Sequence, residues 1–275
     1  MFIVSGRIKN RPIYAVYRKG TDMKLYIQSK KYGSNVVLKD VSIEFPEGSA
    51  TLVIGASGGG KSTLMKSLVG LTKFKGYLLK DGNSRVRFNR KNICYISQQP
   101  LLNPKETVIQ CLYYQTLLSF PNMSKTEALQ YAKCFIQRFA LSKVENQRIR
   151  SLSGGQQKRA AIAHGMLRNL PVIVADEIDS GLDCVLGESI IRDLCRIAHQ
   201  EHKTLVVISH NLDNIRFFDN IVILAGDEHG TGRVVYSGPT KAVLKHFEAK
   251  DIKEVMHIVS NKRYRQNTQD KEEVL

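Results

Sequence analysis

The chain has 275 residues, of which 43% are hydrophobic and 24% charged, a composition that fits a globular protein and excludes a fibrous or disordered one. Its formal net charge of +16 favours anionic partners such as a nucleotide, nucleic acid or an acidic membrane surface. No segment approaches the roughly 18 consecutive apolar residues that span a bilayer, and MFIVSGRIKN is too weakly apolar for a secretory signal. The five cysteines are dispersed without zinc-type spacing, which indicates reduced thiols.

The first third of the chain is predicted to form strands around a glycine-rich turn. Alternation of apolar and polar residues in VSIEF predicts a half-buried strand, whereas the unbroken run ATLVI predicts a strand covered on both faces, as in a parallel sheet. The helical pattern STLMKSLVGL follows the turn. A further strand, NICYIS, then leads into a loop that contains proline.

The middle of the chain, from about residue 108 to 169, has helical periodicity. Within TEALQYAKCFIQRFAL the apolar residues repeat as on one face of a helix, and Ser124 with Glu127 forms a capping-box pattern. Strands return in PVIVA, TLVVIS and NIVILAG, with the helical pattern LGESIIRDLCRIAHQ between the first two. The alternation predicts a βαβ-type core with a helical insertion, and the polar final residues predict a frayed tail.

The segment GASGGGKS, residues 55–62, fits the pattern G-x-x-x-x-G-K-[ST] between a predicted strand and a predicted helix. Such a turn directs backbone N–H groups at phosphates, and the helix that follows adds a favourable dipole. We expect Lys61 to reach the β- and γ-phosphates of a nucleotide and the Ser62 hydroxyl to bind Mg²⁺. A flexible Gly/Ser turn is the simpler alternative, but the strand–turn–helix context favours the nucleotide site.

Acidic residues gather where the strand PVIVA ends, in PVIVADEIDSGLD at residues 171–183. Desolvating a carboxylate there is costly unless it has a partner, and a cation is one answer. Given the phosphate-binding turn, we expect Asp176 to hold Mg²⁺ and Glu177 to polarise an attacking water. Taken alone, the pattern fits a strand that leaves the core equally well, and only the combination of the two motifs favours the nucleotide site.

A third motif, SLSGGQQKRAAIAHG, places a Gly-rich stretch at the start of another helix. This layout suits an anion at a helix N-terminus, although the first turn already has a helix of its own. An ordinary Ser-capped helix explains the pattern equally well.

The motifs GASGGGKS, LSGGQ and VIVADE, in this arrangement, resemble the ATP-binding cassette of ABC transporters over about residues 24–248. The resemblance implies an α/β fold of the P-loop NTPase (RecA-like) type, with an N-terminal antiparallel β subdomain and an inserted α-helical subdomain at about residues 100–168. We therefore divide the chain into an unassigned N-terminal extension (1–23), the cassette (24–250) and a polar C-terminal tail (251–275).

The resemblance also implies roles for single residues, with ATP and Mg²⁺ as cofactors. The residues expected to bind the nucleotide are Tyr32, Gly55, Ala56, Ser57, Gly58, Gly59, Gly60, Lys61, Ser62, Thr63, Ser153, Gly154, Gly155, Gln156 and Asp183. The expected catalytic residues are Glu177, His210 and Gln98, and the expected metal ligands are Ser62, Gln98 and Asp176. Tyr32 would stack on adenine, with Tyr26 as the alternative, and Gln99 is the alternative to Gln98.

The same resemblance implies two partners. A second cassette, in a homo- or heterodimer, would pair head to tail so that each LSGGQ helix caps the γ-phosphate held by the other chain, with Asp183 at the seam. A transmembrane permease domain or subunit would hold the cassette at the cytoplasmic side of the plasma (inner) membrane. The segment GRVVYSGPTKAVLKHFE at residues 232–248 and the stretch SGLD resemble ABCG-like, ABC-2-type exporters, which favours export.

Two residues depart from the family. After the acidic pair the family commonly has Pro followed by Thr or Ser, where this chain has Ile178 and Asp179. We expect the absence of proline to loosen the loop. Asp179 is expected either to weaken pairing of the cassettes or to find a basic partner.

Two other functions compete with a transporter ATPase. A soluble ABC ATPase acting on nucleic acid or ribosomes is favoured by the charge of +16, but a single cassette without a long insertion makes nucleic acid an unlikely partner. A nucleotide-binding regulatory module without turnover would have no need of Glu177 or His210.

Overall fold

The computed structural model describes residues 22–80, 84–86, 93–99, 101–227 and 229–261, and the backbone of two short strands near the amino terminus. The strands are β1 (Arg7–Ile8), β2 (Arg11–Pro12), β3 (Met23–Tyr32), β4 (Asn35–Phe45), β5 (Ala50–Gly55), β6 (Lys75–Lys80), β7 (Ser84–Val86), β8 (Ile93–Ile96), β9 (Val172–Asp176), β10 (Thr204–Ile208), β11 (Asn220–Gly226) and β12 (Gly232–Pro239). The α-helices are α1 (Lys61–Leu68), α2 (Val108–Ser119), α3 (Lys125–Arg138), α4 (Gly154–Met166), α5 (Cys184–Gln200), α6 (Val243–His246) and α7 (Ile252–Ser260).

One ten-stranded sheet organises the described residues, in the order β7-β6-β3-β4-β12-β11-β5-β10-β9-β8. The run from β11 to β8 is parallel, because β5 pairs with both β10 and β11, and β9 with both β10 and β8. The strands β4, β3, β6 and β7 pair antiparallel at the other side of the sheet. Every residue of β5 is buried, as the unbroken apolar run ATLVI predicts.

Alternate residues of the parallel strands enter two separate cores. Ile173 and Ala175 belong to a cluster that includes the helices α2 to α5, whereas Val172 and Val174 face a second cluster with α1 and the antiparallel strands. Because successive side chains of a strand point to opposite faces, this burial covers both faces of the sheet. The predicted α/β class with an antiparallel β region is therefore confirmed.

The helices of the insertion begin at side-chain caps. The Ser124 hydroxyl accepts a hydrogen bond from the Glu127 N–H, and the Glu127 carboxylate accepts one from the Ser124 N–H, which confirms the predicted capping box. Thr107 and Gln110 cap α2 in the same way. Reciprocal caps of this kind satisfy backbone donors that a helix start otherwise leaves without partners.

The carboxyl-terminal segment differs from the predicted tail. Helix α7 lies within residues 251–275, and its Val255 and Val259 are completely buried in the larger core. The sequence IKEVMHIVS places these residues four apart, which puts them on one face of a helix. Residues 262–275 and most of the N-terminal extension lie outside the described residues.

The cysteines are free thiols. Burial raises the pKa of Cys94, Cys111 and Cys195 to about 12, so these three remain protonated and unreactive at neutral pH. This agrees with the structural thiols expected from their scattered positions. Within the described part of the chain, no helix combines the length and the apolar character that a membrane crossing requires.

Candidate active site

Four loops of the predicted site leave the same edge of the parallel sheet. The loop after β5 carries the P-loop glycines, and the loops after β8, β9 and β10 carry Gln98, Glu177 and His210. The register aligns these strand ends, since Ile208 lies opposite Asp176 and Ile96 opposite Ala175. Ligands of open α/β sheets bind at this carboxyl edge, so the topology brings together residues that lie far apart in sequence.

The P-loop has the backbone of a phosphate-binding turn. Gly60 precedes α1 with φ of 87°, a left-handed conformation that strains other residues. At Gly55 a Cβ atom would lie 2.3 Å from the Leu224 carbonyl oxygen, so only glycine fits against β11. Ala56, Ser57, Gly58 and Gly59 complete the turn, and Ser62 and Thr63 lie in the first turn of α1.

The Lys61 ammonium is folded back onto this turn. It donates to the carbonyl oxygens of Gly55 at 2.8 Å and Ala56 at 2.9 Å, and the residue is only 7% exposed. Burial lowers the pKa of Lys61, and the charge of Glu177 opposes that shift. The lysine is therefore held at the mouth of the turn beside the catalytic candidate.

Glu177 is the centre of a contact between three loops. Gln98 Nε2 donates to its Oε2 at 2.8 Å, and His210 Nε2 lies 2.9 Å from its Oε1. Glu177 has φ of 46°, unusual for a residue with a side chain, and its N–H donates to the Ile208 carbonyl oxygen at 3.0 Å. The structure thus brings the three predicted catalytic residues together, with Gln98 rather than Gln99 turned toward Glu177.

Asp176 is a half-buried carboxylate at the end of β9. Tyr95 donates its hydroxyl to Asp176 Oδ2 at 3.1 Å. Burial raises the pKa of Asp176, and the Tyr95 hydrogen bond partly offsets that rise. Burial together with the Asp176 charge raises the pKa of Tyr95 to about 12, so Tyr95 remains a donor.

The oxygen atoms near the P-loop fit a hard cation. Asp176, the Ser62 hydroxyl and the Gln98 amide oxygen are the kind of ligands that Mg²⁺ prefers. Among the described residues no group of three or more His, Cys, Asp or Glu side chains is arranged to hold a metal. Mg²⁺ is commonly bound by one or two carboxylates together with substrate phosphates.

Tyr32 lies beside the helix that follows the P-loop. It is 48% exposed, Lys30 Nζ lies 4.1 Å from the centre of its ring, and hydrogen bonds with Thr72 and Thr63 lower its pKa. The alternative, Tyr26, packs against Tyr77 of the neighbouring strand in a tilted arrangement, with ring centres 5.1 Å apart. An exposed ring next to α1 agrees with the expectation for Tyr32.

The LSGGQ segment forms the start of α4. Ser153 and Gln156 cap the helix reciprocally, so the ordinary Ser-capped helix considered from sequence is also present. At Gly155 a Cβ atom would lie 2.2 Å from Leu186 Cδ2, and a Cβ atom at Gly154 would lie 3.9 Å from Leu182. Asp183 caps α5 through the Leu186 N–H at 2.9 Å. The signature glycines therefore pack on the start of α5.

The two departures from the family have internal partners. Ile178 is fully buried. The backbone on either side of it is held by two hydrogen bonds, from the Glu177 N–H to the Ile208 carbonyl oxygen and from the Ser180 N–H to the Glu177 carbonyl oxygen. Burial of Ile178 thus anchors the loop at the position where the family commonly has proline, and a loosened loop stays a prediction. Asp179 accepts hydrogen bonds from Ser209 and Asn214, and its charge also acts on the buried Lys158.

Lys158 is a residue of this region that the sequence did not single out. It is 7% exposed, and its ammonium donates to the Gln98 carbonyl oxygen. Burial lowers its pKa, while the carboxylates of Asp179, Glu177 and Asp176 act to raise it. The sequence shows a lysine two residues after LSGGQ, but it does not show that this lysine is buried or that it contacts the Gln98 loop.

Comparison with known proteins identifies the family to which these motifs belong. A family model described as "ABC transporter" matches residues 38–180, slightly more than half of the chain. The chain belongs to the ABC transporter family. The ATP-binding domains of this family bind and hydrolyse ATP, so this chain is an ABC ATPase.

Relatives within the ABC transporter family include both short and long proteins. The phosphonates import ATP-binding protein PhnC of Trichormus variabilis is 30% identical over 74% of this chain and 85% of its own length. ABC transporter G family member 25 of Arabidopsis thaliana is 28% identical over 84% of this chain, which spans only 36% of that protein.

Solved ABC cassettes share the fold. The dimeric bacterial ABC transporter cassette MJ0796 has a TM-score of 0.68 at 28% identity, over 79% of this chain and 98% of that one. The cbiO1 protein of Clostridium perfringens has a TM-score of 0.72 at 24% identity, over 82% and 91% of the two chains. A further structure of MJ0796 is a dimer in a post-hydrolysis state bound to ADP and Pi.

Replacing Tyr95 with Phe tests how Asp176 is oriented. The variant loses only the hydroxyl that donates to Asp176, so we expect the Mg²⁺ concentration for half-maximal ATP hydrolysis to rise about tenfold, the lower end of the range for groups that orient metal ligands. ATPase assays over a Mg²⁺ series measure this. Tyr77→Phe, on the outer strand β6, is the matched control, and an unchanged Mg²⁺ requirement of Tyr95→Phe would contradict the role.

Proposed function

We propose that this ABC ATPase binds Mg²⁺ with ATP and powers the movement of a substrate, in the direction of export, through a partner membrane domain. The observation that carries the hydrolytic part is the arrangement around Glu177. Both of its carboxylate oxygens are held, by Gln98 and by His210, and its charge faces Lys61. A carboxylate held in this way beside a phosphate-binding turn is placed to act on an attacking water.

The first step assigned to the chain is binding and orientation of the nucleotide. Lys61 and the backbone N–H groups at the start of α1 would hold the phosphates, with Tyr32 against the adenine ring. Asp176, Ser62 and Gln98 would hold Mg²⁺, which when bound neutralises charge on the phosphate oxygens. The Tyr95 hydroxyl fixes one oxygen of Asp176 and leaves the other free for this role.

The second step assigned to the chain concerns the water. Glu177 would orient it in line with the γ-phosphate and accept its proton, while His210 and Gln98 keep the carboxylate in place. Gln98 lies at the start of the loop that leads into the helical insertion. A movement of Gln98 would therefore be transmitted to a membrane partner bound at the insertion.

Completion of the site is assigned to a second cassette. The signature residues Ser153, Gly154, Gly155 and Gln156 start α4 and pack on α5 within their own chain. The start of a helix favours an anion, so this end of α4 can serve a phosphate held by another chain. The dimeric cassette MJ0796 supports such a pair. The sizing experiment described in the Discussion distinguishes an identical partner cassette from a different one.

Export, and a place at the cytoplasmic face of the plasma (inner) membrane, form the finer part of the proposal. The similarity to a G family member and the segment 232–248 support export, whereas relatives named as import proteins support the opposite direction. The rival function, an ATPase acting on nucleic acid or ribosomes, rests on the charge of +16 alone.

Affinity isolation from detergent-solubilised native membranes tests this proposal. We expect a multi-span membrane protein to co-purify in constant ratio, and ATP supplied to inverted membrane vesicles carrying the pair to concentrate substrate inside them. RNA that co-purifies and dissociates steeply with salt would instead establish the rival function. Uptake by right-side-out vesicles would overturn the direction.

A further inference from the structure

The loop after β9 is joined to the loop after β10 by a carboxylate that the family does not commonly have. Asp179 Oδ2 accepts a hydrogen bond from the Ser209 hydroxyl at 2.5 Å and another from Asn214 Nδ2 at 3.3 Å. Ser209 and Asn214 are each only 1% exposed. Buried donors of this kind need a partner, and an ionised acceptor gives them stronger hydrogen bonds than a neutral one.

The residues flanking these contacts are the predicted catalytic residues. Ser209 immediately precedes His210, and Asp179 lies two residues after Glu177. The same loops are also joined by the Glu177 N–H to the Ile208 carbonyl oxygen and by His210 to the Glu177 carboxylate. The hydrogen bonds of Asp179 therefore join the two loops at a second place, two residues beyond Glu177. Glu177 has φ of 46°, an unfavourable backbone conformation that the surrounding contacts must hold in place.

The carboxylate of Asp179 is half-buried, and its charge acts on a lysine of a third element. Lys158 of α4, itself buried, holds the Gln98 carbonyl oxygen and is close enough for the Asp179 charge to act on it. A buried ammonium without a nearby anion would be costly. Asp179 thus adds, together with Glu177 and Asp176, to the negative charge around the lysine that holds the Gln98 loop.

We propose that Asp179 is a positioning residue of the hydrolytic centre: its carboxylate fastens the His210 loop to the Glu177 loop and keeps His210 aligned on the Glu177 carboxylate. The inference rests on the proposed roles of Glu177 and His210. It also assigns a use to the departure from the family at this position, where Thr or Ser would offer a neutral hydroxyl in place of the carboxylate that accepts from Ser209 and Asn214.

The test is a set of variants assayed for hydrolysis, nucleotide affinity and backbone exchange. We expect Asp179→Ala to lower kcat on the order of 10- to 100-fold, since small misplacements of positioned groups have effects of this size, with ATP affinity within about twofold. Amide exchange over residues 208–214 should become faster. Asp179→Asn keeps an acceptor for Ser209 and should retain most of kcat, and the exposed Asp193→Ala is the control.

A comparison of single and double variants distinguishes failure of this inference from failure of the proposed function. Ser209→Ala should lower kcat in the same direction, and Asp179→Ala with Ser209→Ala should be no worse than the more severe single change. Losses that multiply, or unchanged kcat and exchange in Asp179→Ala, would overturn the inference. Absence of hydrolysis by the unmodified chain would overturn the proposed function instead, and the exchange measurement would still decide whether Asp179 holds the loop.

Discussion

Glu177→Gln is expected to abolish steady-state ATP hydrolysis while ATP binding persists. The amide has nearly the same shape as the carboxylate but cannot accept a proton, and general base catalysis contributes roughly 100- to 10,000-fold to rate. Lys61 and the P-loop backbone are unchanged by the substitution. We therefore expect kcat to fall by about 1000-fold with little change in the Kd for ATP.

Sizing of the same variant tests whether the signature serves a second chain. ATP bound without turnover should trap a dimer, because each chain supplies the P-loop of one site and Ser153 to Gln156 of the other. Light scattering after size exclusion, with ATP and Mg²⁺, with ADP, and with a chelator, should show a dimer under the first condition only. A dimer formed only after a different cassette is added would identify a heterodimer.

The control for this variant is Glu44→Gln, an exposed carboxylate on β4 that pairs with Lys24. It should hydrolyse ATP at the rate of the unmodified chain and form no trapped dimer. Hydrolysis by Glu177→Gln at more than a tenth of the unmodified rate would show that another group acts on the water. The nearest candidate would then be His210, 2.9 Å from Glu177.

The parts of the site that could be predicted are those encoded by short local patterns. GASGGGKS predicts its turn because glycine is required at Gly60, where φ is 87°. The strand before Asp176 is predictable because an unbroken apolar run needs cover on both faces. The capping box of Ser124 is local in the same sense.

Contacts between distant segments could not be predicted in this way. The order of ten strands depends on pairings such as β5 with β11, about 170 residues apart in the chain, which periodicity does not encode. For the same reason Lys158 and Tyr95 stayed unnoticed, because each is an unremarkable residue until the fold places it against Gln98 or Asp176. The amphipathic pattern of α7 was present in sequence but was outweighed by the polar residues that follow it.

Lys61→Met should separate binding from hydrolysis. The ammonium lies on the proposed phosphate-binding turn, where it contacts the carbonyl oxygens of Gly55 and Ala56. A hydrogen bond to a charged group is worth about 1.5–3 kcal/mol. Converted to an equilibrium constant, this corresponds to roughly 10- to 100-fold weaker ATP binding, with hydrolysis lost in parallel. Titration with a fluorescent ATP analogue in the presence of Mg²⁺ measures the Kd directly.

The fold should tolerate this change, which makes the loss of binding interpretable. Methionine fills the space of the lysine stem, and burial already opposes the Lys61 charge, as the lowered pKa shows. Removing the buried charge stabilises the fold, whereas losing the hydrogen bonds to Gly55 and Ala56, each worth about 1 kcal/mol or more, destabilises it. Because the two effects oppose each other, the thermal midpoint should move by only a few degrees. Lys245→Met, an exposed lysine of α6, should bind ATP normally. If Lys61→Met also bound ATP with unchanged affinity, the phosphates would have to be held elsewhere, since this substitution removes charge from the turn without emptying it.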